Sequence, residues 1–403
     1  MKIAIVSFYL MESTIPLAKH LSLKGIKVDL FSLLPYLNQN TFVYDFSANR
    51  QPVGFVNERI VRKTFGKKLC DYLSNINTRV FIFPDRKIQK FFLKDLYFAF
   101  RLAKQLRNEK YDLIHIIHTS PRFWRYLFFF LDKKKVVQTL HEVTSHEGIT
   151  SKEEERNIKL LIKEETPIIF HSNTSKQRFI DFRTHWDHNK LNEDQLALIR
   201  FGLFETYYCF SNHFQSKRKN GIIHILNFGR IVPSKGINIL VEAVRILQNK
   251  YSIHLTIAGS GHPYFDFNDI KSYDFINRSL SNEEIVALIK DCDLVVLPYI
   301  SASQSGIPMT VYAFNKPIIA SNIAGLKEVI QDGQTGVLVK DINPRSFASA
   351  METLLIDNEL RKDFSKNIKE KYCDGEFSWP FIADQTVDFY KKKMREVEVK
   401  VRK

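Results

Sequence analysis

Short apolar runs alternate with amphipathic stretches through the first half of the chain. The runs KIAIVSFY (2–9) and KVDLFSLLP (27–35) predict buried strands. The stretch between them predicts a helix, because its apolar positions recur with a period near 3.6, it opens with Ser and Thr, and Gly25 follows as a stop signal. This is the β–α–β start of a doubly wound parallel sheet. Further buried strands are predicted at 112–117, 135–141 and 167–172.

A second series of apolar runs follows a polar, basic segment. It begins with IIHILNFGR (222–230) and continues with HLTIAGSG, DFINRSL, DLVVLPY, KPIIAS and GVLVK. The last stretch of the chain has the pattern of a long amphipathic helix. We therefore predict an α/β protein with an N-terminal domain at 1–209, a linker at 210–220, a C-terminal domain at 221–375 and a terminal helix at 376–403.

Composition supports two globular domains. The 403 residues are 44% hydrophobic and 26% charged. Four cysteines lie far apart with no CxxC pair, which argues against a zinc site or a disulfide framework and fits a reducing cytosol. The N-terminal apolar run predicts a first strand rather than a signal peptide, since no small-residue cleavage site follows. No segment has the roughly 18–20 apolar residues that a bilayer span requires.

The net charge of +15 is concentrated in one region. Residues 58–110 hold 14 basic and 5 acidic side chains and are rich in Phe, Leu and Tyr. Basic and aromatic residues together fit an anionic membrane surface. They also fit a solvated helix face whose aromatic residues fill the core. Nucleic acid is disfavoured as a partner because no recognised nucleic-acid-binding module is present.

The segment FGRIVPSKG (228–236) carries the clearest candidate chemistry. It joins an apolar run to an amphipathic one, so it predicts a loop between a strand and a helix. Arg230 and Lys235 would place two cations beside Gly229 and a helix N-terminus, a combination that suits a diphosphate. The alternative is an ordinary connection with two surface cations.

Five segments together resemble the C-terminal half of retaining nucleotide-sugar glycosyltransferases of family 4. These are FGRIVPSKGINILVEA, LTIAGSG (255–261), DLVVLPY (293–299), KPIIASNIAGLKEVI (316–330) and DGQTGVLV (332–339). The resemblance implies the GT-B fold: two Rossmann-like domains facing a cleft, with the C-terminal helix crossing back to the first domain. It also implies that Arg230 and Lys235 stabilise the leaving diphosphate, with no metal ion and no cofactor.

The segment SQSGIPMT (303–310) departs from the wider family. Two glutamates seven residues apart are expected there, and Ala302 and Thr310 stand at those positions. The segment is more similar to a branch with the pattern QSG. That resemblance implies donor binding by Ser303, Gln304, Ser305, Gly306, Ile307 and Thr310. The alternative is a structural turn into a buried helix.

The resemblance also implies roles at other strand ends. His141 would contact the donor sugar, and Glu142 and His146 would lie beside it. Asn277 and Arg278 would hold the nucleotide base through their backbone groups. In the first loop, YLMEST lacks the usual glycines: Glu12 and Ser13 would face the acceptor, or Ser13 would cap the helix. His118 ends another predicted strand and would line the acceptor side. Each histidine could instead be structural.

These observations predict a hexosyltransferase that uses a UDP- or GDP-sugar. The expected acceptor is a glycan or a lipid-linked sugar in surface polysaccharide synthesis. The expected location is cytoplasmic, peripheral at the inner face of the cell membrane through residues 58–110. The alternatives are a degenerate GT-B scaffold or binding protein, and a GT-B-fold epimerase or phosphorylase.

Overall fold

The computed structural model describes residues 1–84, 92–119, 122–141, 143, 152–186, 192–211, 221–302 and 305–402. Most of the predicted linker, 212–220, lies outside the described residues. Contacts within the chain divide it into two compact units. Unit 1 comprises Met1–Phe201 and Trp379–Lys403, and unit 2 comprises Gly202–Ser378.

The described part of unit 1 contains one sheet. Its strands are β1 (Lys2–Phe8), β2 (Lys27–Pro35), β3 (Gly54–Phe55), β4 (Asn77–Phe83), β5 (Leu113–Ile117), β6 (Val136–Leu140), β7 (Ile168–Phe170) and β8 (Leu196–Leu198). They lie in the order β3–β4–β2–β1–β5–β6–β7–β8, and only β3 is antiparallel to its neighbour. The doubly wound sheet predicted from the apolar runs is therefore confirmed.

Helices of unit 1 connect these strands. They are α1 (Met11–Leu23), α2 (Glu58–Tyr72), α3 (Phe92–Asn108), α4 (Phe123–Phe130), α5 (Lys152–Lys163), α6 (Asn173–Trp186) and, at the end of the chain, α13 (Trp379–Arg402). Apolar faces of α3, α4, α5 and α6 pack on the buried strands to form one core. No helix among the described residues is both long enough and apolar enough to cross a bilayer.

The start of α1 differs from the prediction that Ser13 caps it. The helix begins at Met11, its N-cap residue is Leu10, and the N-cap makes no side-chain capping bond. Ser13 lies inside the first turn, and its hydroxyl donates to the Leu10 carbonyl oxygen at 3.4 Å. The reason is Thr14, whose backbone N–H donates to Leu10 at 3.1 Å and whose hydroxyl lies 2.9 Å from that of Ser7 on β1.

The strand β4 lies within the basic, aromatic region 58–110 and had no prediction of its own. Its Phe81 and Phe83 are buried, with exposed fractions of 1% and 3%. Part of the aromatic content of 58–110 therefore fills the core. Residues 85–91 of that region lie outside the described part of the chain.

The C-terminal helix α13 crosses back to the first domain, as predicted. It packs against α1, where Lys24 and Asp384 form an ion pair at 2.7 Å. The Tyr390 hydroxyl lies 2.6 Å from His115 Nδ1 on β5, and both residues are buried. Unit 1 is thus built from both ends of the chain.

Unit 2 has its own parallel sheet. Its strands are β9 (Ile223–Phe228), β10 (Ile253–Gly259), β11 (Tyr273–Asn277), β12 (Leu294–Leu297), β13 (Ile318–Ser321) and β14 (Gly336–Val339), in the order β11–β10–β9–β12–β13–β14. The helices are α7 (Ile237–Leu247), α8 (Asn282–Asp291), α9 (Ile307–Tyr312), α10 (Ala324–Lys327), α11 (Pro344–Ile356) and α12 (Asn358–Lys369).

The contact boundaries differ from the predicted 209 and 376 because the flanking segments pack within unit 2. Phe204 donates its backbone N–H to Met309 at 3.3 Å, and the Tyr208 and Phe314 rings lie 5.8 Å apart. At the other end, the Phe377 ring stacks on Tyr372 with 4.8 Å between centroids. Aromatic side chains therefore hold residues 202–209 and 376–378 to the second unit.

Candidate functional site

The sheet of unit 2 has a topological switch point at the carboxyl ends of β9 and β12. The chain leaves β9 towards β10 on one side and later returns to β12 on the other side. Open α/β sheets bind ligands at such a switch point, outside the carboxyl ends of the strands. The loop after β9 carries Gly229 and Arg230, and the loop after β12 carries Pro298 and Tyr299.

Close backbone contacts fix these loops. A Cβ atom on Gly236 would lie 1.9 Å from the Pro298 carbonyl oxygen, and one on Gly259 would lie 1.7 Å from that of Gly229. Gly236 also has a φ of 60°, the left-handed conformation that residues with a Cβ rarely adopt. The loops after β9, β10 and β12 are therefore held together at backbone distance.

Two cations lie at this edge. Arg230 is exposed and Lys235 is half-buried. The Lys235 Nζ atom lies 3.6 Å from the centre of the Tyr299 ring. Among the described residues, neither cation forms an ion pair with a carboxylate. The edge therefore presents positive charge that the described acidic residues do not neutralise.

The pKa of Lys235 reflects its burial and the nearby positive charge. Burial, and then repulsion by Arg230, lowers the pKa of Lys235 to about 8. A bound anion would relieve both effects by stabilising the ammonium form. The arrangement is suited to a dianionic group such as a diphosphate.

Tyr299 connects the cations to the segment before α9. It is 1% exposed, and burial raises the pKa of its hydroxyl. Interaction with the Ser305 side chain and the charge of Arg230 oppose that rise in pKa. This role was not predicted, because a Tyr after an apolar run is most often a core residue.

The segment predicted to bind the donor meets the β9 loop directly. A Cβ atom on Gly229 would lie 3.0 Å from Ile307 Cδ1, and one on Gly306 would lie 2.7 Å from the Phe204 ring. The structure therefore brings together Gly229, Arg230, Lys235, Ser305, Gly306 and Ile307. Ser303 and Gln304 lie outside the described residues.

Thr310, which stands in place of a family glutamate, lies inside α9. It is 4% exposed, and its hydroxyl donates to the Gly306 carbonyl oxygen at 3.3 Å. The hydroxyl proton is therefore used within the helix. Ala302 is half-buried and has no polar side-chain atom.

The two residues predicted to hold the base are engaged with the protein. Asn277 Oδ1 accepts a hydrogen bond from the Gly261 N–H at 3.2 Å. The Arg278 guanidinium donates to both Glu284 oxygens, at 2.6 and 2.9 Å. Glu284 also completes a capping box with Ser281 at the start of α8. Both side chains thus stabilise the loop after the edge strand β11, which fits the prediction that a base is contacted through backbone groups.

Unit 1 has its own switch point, at the carboxyl ends of β1 and β5. Just after these strands, Tyr9 and His118 have φ angles of 72° and 64°. Left-handed conformations of residues other than glycine are strained and concentrate at functional sites. The structure thus marks the same edge at which the sequence predicted an acceptor site.

Glu12 is buried and His118 is half-buried at this edge, and the pKa values of both side chains are shifted. Burial raises the pKa of Glu12 to about 7 and lowers the pKa of His118 to about 4. At neutral pH, His118 is therefore an uncharged imidazole, and Glu12 is divided between its acid and carboxylate forms. Groups of this kind bind hydroxyl groups as both donors and acceptors.

His141 follows the last residue of β6, at the same edge of the sheet. Its ring lies 5.8 Å from that of His171 and 5.7 Å from that of Phe201. His171 Nδ1 bonds to the Ile199 carbonyl oxygen at 2.7 Å, and burial lowers the pKa of His171 to about 4. His171 was not predicted. Glu142 and His146 lie outside the described residues.

In the described part of the chain, no group of three or more His, Cys, Asp and Glu residues is arranged to hold a metal ion. The cysteines are free thiols. Metal-independent action stays a prediction.

Two protein-family models match the chain. The model described as Glycosyltransferase Family 4 matches residues 13–188, and the model described as Glycosyl transferases group 1 matches residues 210–371. A D-inositol 3-phosphate glycosyltransferase from Paenarthrobacter aurescens is 30% identical over 180 residues, covering 42% of this chain and 44% of that protein. The chain spans about half the length of the curated relatives it matches.

Solved structures match over almost the whole chain. A glycosyltransferase from Rickettsia africae has a TM-score of 0.66 at 17% identity, covering 98% of each chain. The Anabaena protein HepE, solved in complex with UDP and glucose, has a TM-score of 0.63 at 14% identity, covering 97% of this chain and 100% of that chain. At such identities the likeness shows the fold. Because the family 4 match lies on unit 1 and the group 1 match on unit 2, this chain belongs to the family 4 glycosyltransferases and has their GT-B fold.

Proposed function

We propose that the chain is a retaining glycosyltransferase that moves a hexose from a UDP- or GDP-sugar to a hydroxyl group of a glycan or lipid-linked acceptor. The observation that carries this proposal is the pair Arg230 and Lys235 at the switch point of unit 2, which no described carboxylate neutralises. The complexes of HepE with UDP, glucose and UDP-glucose support a nucleotide sugar as the donor class. Retention of configuration rests on the family resemblance.

The chemistry begins at the bond between the sugar and the diphosphate. As this bond breaks, negative charge builds on the departing diphosphate. Cations that are already in position stabilise that charge without reorganisation, which lowers the barrier. Arg230 supplies a forked donor and Lys235 a compact charge. In this proposal they do the work of a divalent metal, and no cofactor takes part.

The acceptor side is proposed to lie at the strand ends of unit 1. Glu12 and His118 would bind the attacking hydroxyl, with Ser13 and His141 on the same sheet edge. The uncharged His118 can accept a hydrogen bond from a hydroxyl, and the acid form of Glu12 can donate one. We further propose that the products are surface polysaccharides, made on the cytoplasmic side of the membrane.

The test is a donor screen by thermal shift, with UDP-, GDP- and ADP-sugars and with either EDTA or Mg²⁺. A ligand that binds the folded state raises the melting temperature by mass action. We expect one nucleotide series to shift it equally under both conditions, and Arg230→Ala and Lys235→Met to abolish the shift. Arg345→Ala and Lys362→Met, exposed cations of the same unit, are the matched controls.

Turnover is measured in the same samples as release of the nucleoside diphosphate, and NMR of the product gives its anomeric configuration. Inverted product would contradict retention, and dependence on Mg²⁺ would contradict the metal-free site. Donor binding without turnover against a broad acceptor panel would favour a catalytically degenerate scaffold. The specific observation behind that second candidate is Thr310, whose hydroxyl is turned into α9.

A further inference from the structure

One side of α3 carries exposed apolar side chains in a helical stripe. Leu93, Tyr97 and Phe100 are 75%, 56% and 40% exposed. Their spacing of four and then three residues places them on the same side of the helix. The opposite side is buried in the core of unit 1 through Ala99, Leu102, Ala103 and Leu106.

The stripe continues onto α4. Phe129 is 71% exposed, and its ring lies 5.3 Å from that of Phe130. Phe130 in turn lies 5.4 Å from Phe100 on α3. Leu93, Tyr97, Phe100, Phe129 and Phe130 therefore form one apolar surface, here named the α3–α4 face.

Basic side chains border the α3–α4 face. Lys94, Arg101, Lys104 and Arg107 are all exposed on α3. Arg101 lies 5.8 Å from the centre of the Tyr97 ring, and Arg107 lies 5.8 Å from that of Phe100.

Among the described residues, Arg101, Lys104 and Arg107 form no ion pair with a carboxylate. Asp95 is on the buried side of α3. Glu109 is paired with Lys2 at 2.9 Å and with Arg79 at 3.0 Å. Asp132, which follows α4, is exposed and accepts a bond from the Lys134 N–H. Positive charge therefore dominates the border of the face.

We propose that the α3–α4 face docks on a bilayer that contains anionic lipid. The apolar side chains would enter the boundary between headgroups and acyl chains, and the surrounding cations would contact lipid phosphates. Exposed apolar clusters of this kind mark interaction sites on soluble domains. The sequence predicted a membrane-binding surface within residues 58–110. The surface proposed here uses only α3 from that region, together with the end of α4.

Charge and apolar exposure select the bilayer over other occupants. A second copy of the chain packed on the same face by twofold symmetry would set Lys94, Arg101 and Lys104 against their own equivalents. A nucleic acid would satisfy the cations but would leave Leu93 and Tyr97 against a hydrated backbone. Anionic lipid satisfies both parts of the face. The benefit of such docking rests on the proposed function, because it would bring unit 1 to a lipid-linked acceptor.

The experiment is cosedimentation of the full chain with vesicles of phosphatidylcholine alone and of phosphatidylcholine with phosphatidylglycerol. We expect binding to the anionic vesicles only. Each basic residue near an anionic surface contributes about fivefold to partitioning, so K94Q/R101Q/K104Q should weaken binding on the order of a hundredfold. L93S/Y97S/F100S should abolish it.

The matched control is R59Q/K63Q/K67Q, which removes the same charge from exposed positions of α2. We expect it to bind far better than the α3 charge variant. Equal loss in both would overturn the proposal in favour of attraction by net charge alone. Absence of binding by the unaltered chain, or a dimer that F100S dissociates, would also overturn it.

Two measurements separate this proposal from the proposed function and from misfolding. Unaltered tryptophan fluorescence and thermal unfolding show that each variant is folded. The nucleotide-sugar thermal shift should be the same in the α3 variants as in the unaltered chain. Loss of vesicle binding with the donor shift retained supports the α3–α4 face, whereas vesicle binding without any donor shift contradicts the proposed function alone.

Discussion

The Lys235 ammonium group lies 3.6 Å from the centre of the Tyr299 ring. The lysine comes from the loop after β9, and the tyrosine comes from the loop after β12. Tyr299 is buried, so the ring face it offers is shielded from water on its other side. A partly desolvated cation–π contact of this kind is worth about 1–2 kcal/mol. Tyr299 therefore positions Lys235 at the switch point.

Two substitutions of Tyr299 should distinguish the contribution of its ring to donor affinity from that of its hydroxyl. We expect Tyr299→Phe to keep donor affinity within about twofold, because the ring face is retained, and Tyr299→Leu to weaken it by about 5- to 30-fold. Isothermal titration with the nucleoside diphosphate measures both. If the two variants lose affinity equally, the hydroxyl and not the ring is what matters. Tyr312→Phe, a buried tyrosine elsewhere in unit 2, controls for loss of a buried hydroxyl.

The pH dependence of donor binding should reflect the protonation state of Lys235. Its pKa in the free protein is about 8, and a bound diphosphate raises that pKa by stabilising the ammonium. Below pH 8 the side chain is charged in both states, so it adds no pH dependence there. Above pH 8 binding takes up a proton, and affinity falls by up to about tenfold per pH unit.

Titration calorimetry in two buffers with different protonation enthalpies detects this proton uptake. Lys235→Arg is the matched variant, because arginine stays charged throughout the range. Its affinity should not change between pH 7 and pH 9. If the donor affinity of the unaltered protein did not change over that range, Lys235 would not be part of the proposed diphosphate site.

Glu12 should make unit 1 less stable as pH rises through the weakly acidic range. Its pKa rises from 4.5 in a solvated reference state to about 7 in the folded protein. Below pH 4.5 the carboxyl is protonated in both states, so it has no effect on stability. From there to about pH 7 the unfolded state loses its proton first, and at higher pH the cost is constant at about 3 kcal/mol.

The variant Glu12→Gln should therefore stabilise unit 1 more at pH 8 than at pH 5. Urea unfolding followed by tryptophan fluorescence measures it, since Trp124, Trp186 and Trp379 all lie in unit 1. Glu193→Gln, at an exposed position of the same unit, should change stability little at either pH. If Glu12→Gln raised the free energy of unfolding equally at the two pH values, Glu12 would not titrate as described.

Two glycines with nearly the same backbone conformation should respond differently to alanine. Gly236 and Gly333 have φ angles of 60° and 69°. A Cβ on Gly333 meets nothing within 4 Å, so Gly333→Ala should cost only the strain of about 1–2 kcal/mol. At Gly236 the Cβ would also collide with the Pro298 carbonyl oxygen. Calorimetry should show a larger loss for Gly236→Ala, together with loss of donor binding. Equal losses of stability would mean that the loop carrying Pro298 moves to accommodate the added methyl group.

The sequence predicted those parts of the site that depend on neighbouring residues. Arg230 and Lys235 were found because a strand, a short loop and a helix follow one another there. Tyr299 was not found, because its contact with Lys235 depends on the return of the chain from β11 to the far side of β9. The burial of Glu12 was missed for the same reason, since Tyr44, which interacts electrostatically with it, comes from a distant segment.

The fold was predicted more completely than the site. Continuous apolar runs identify buried parallel strands, so β1 and β2 were placed to within a residue. The edge strand β3 and the short strand β8 have too few residues to give a pattern. The start of α1 was misplaced because Ser13 has the chemistry of a cap, while a hydrogen bond between Thr14 and Ser7 of β1 decides the first turn.

The return of α13 to unit 1 has a consequence for how the protein is made. Unit 2 is continuous in sequence, whereas unit 1 needs Trp379–Lys403 to complete it. At about 5–20 residues per second, synthesis of the intervening unit takes on the order of ten to forty seconds. During that time the sheet of unit 1 has no Tyr390 to pair with His115. The unit that leaves the ribosome first is thus the last to be completed.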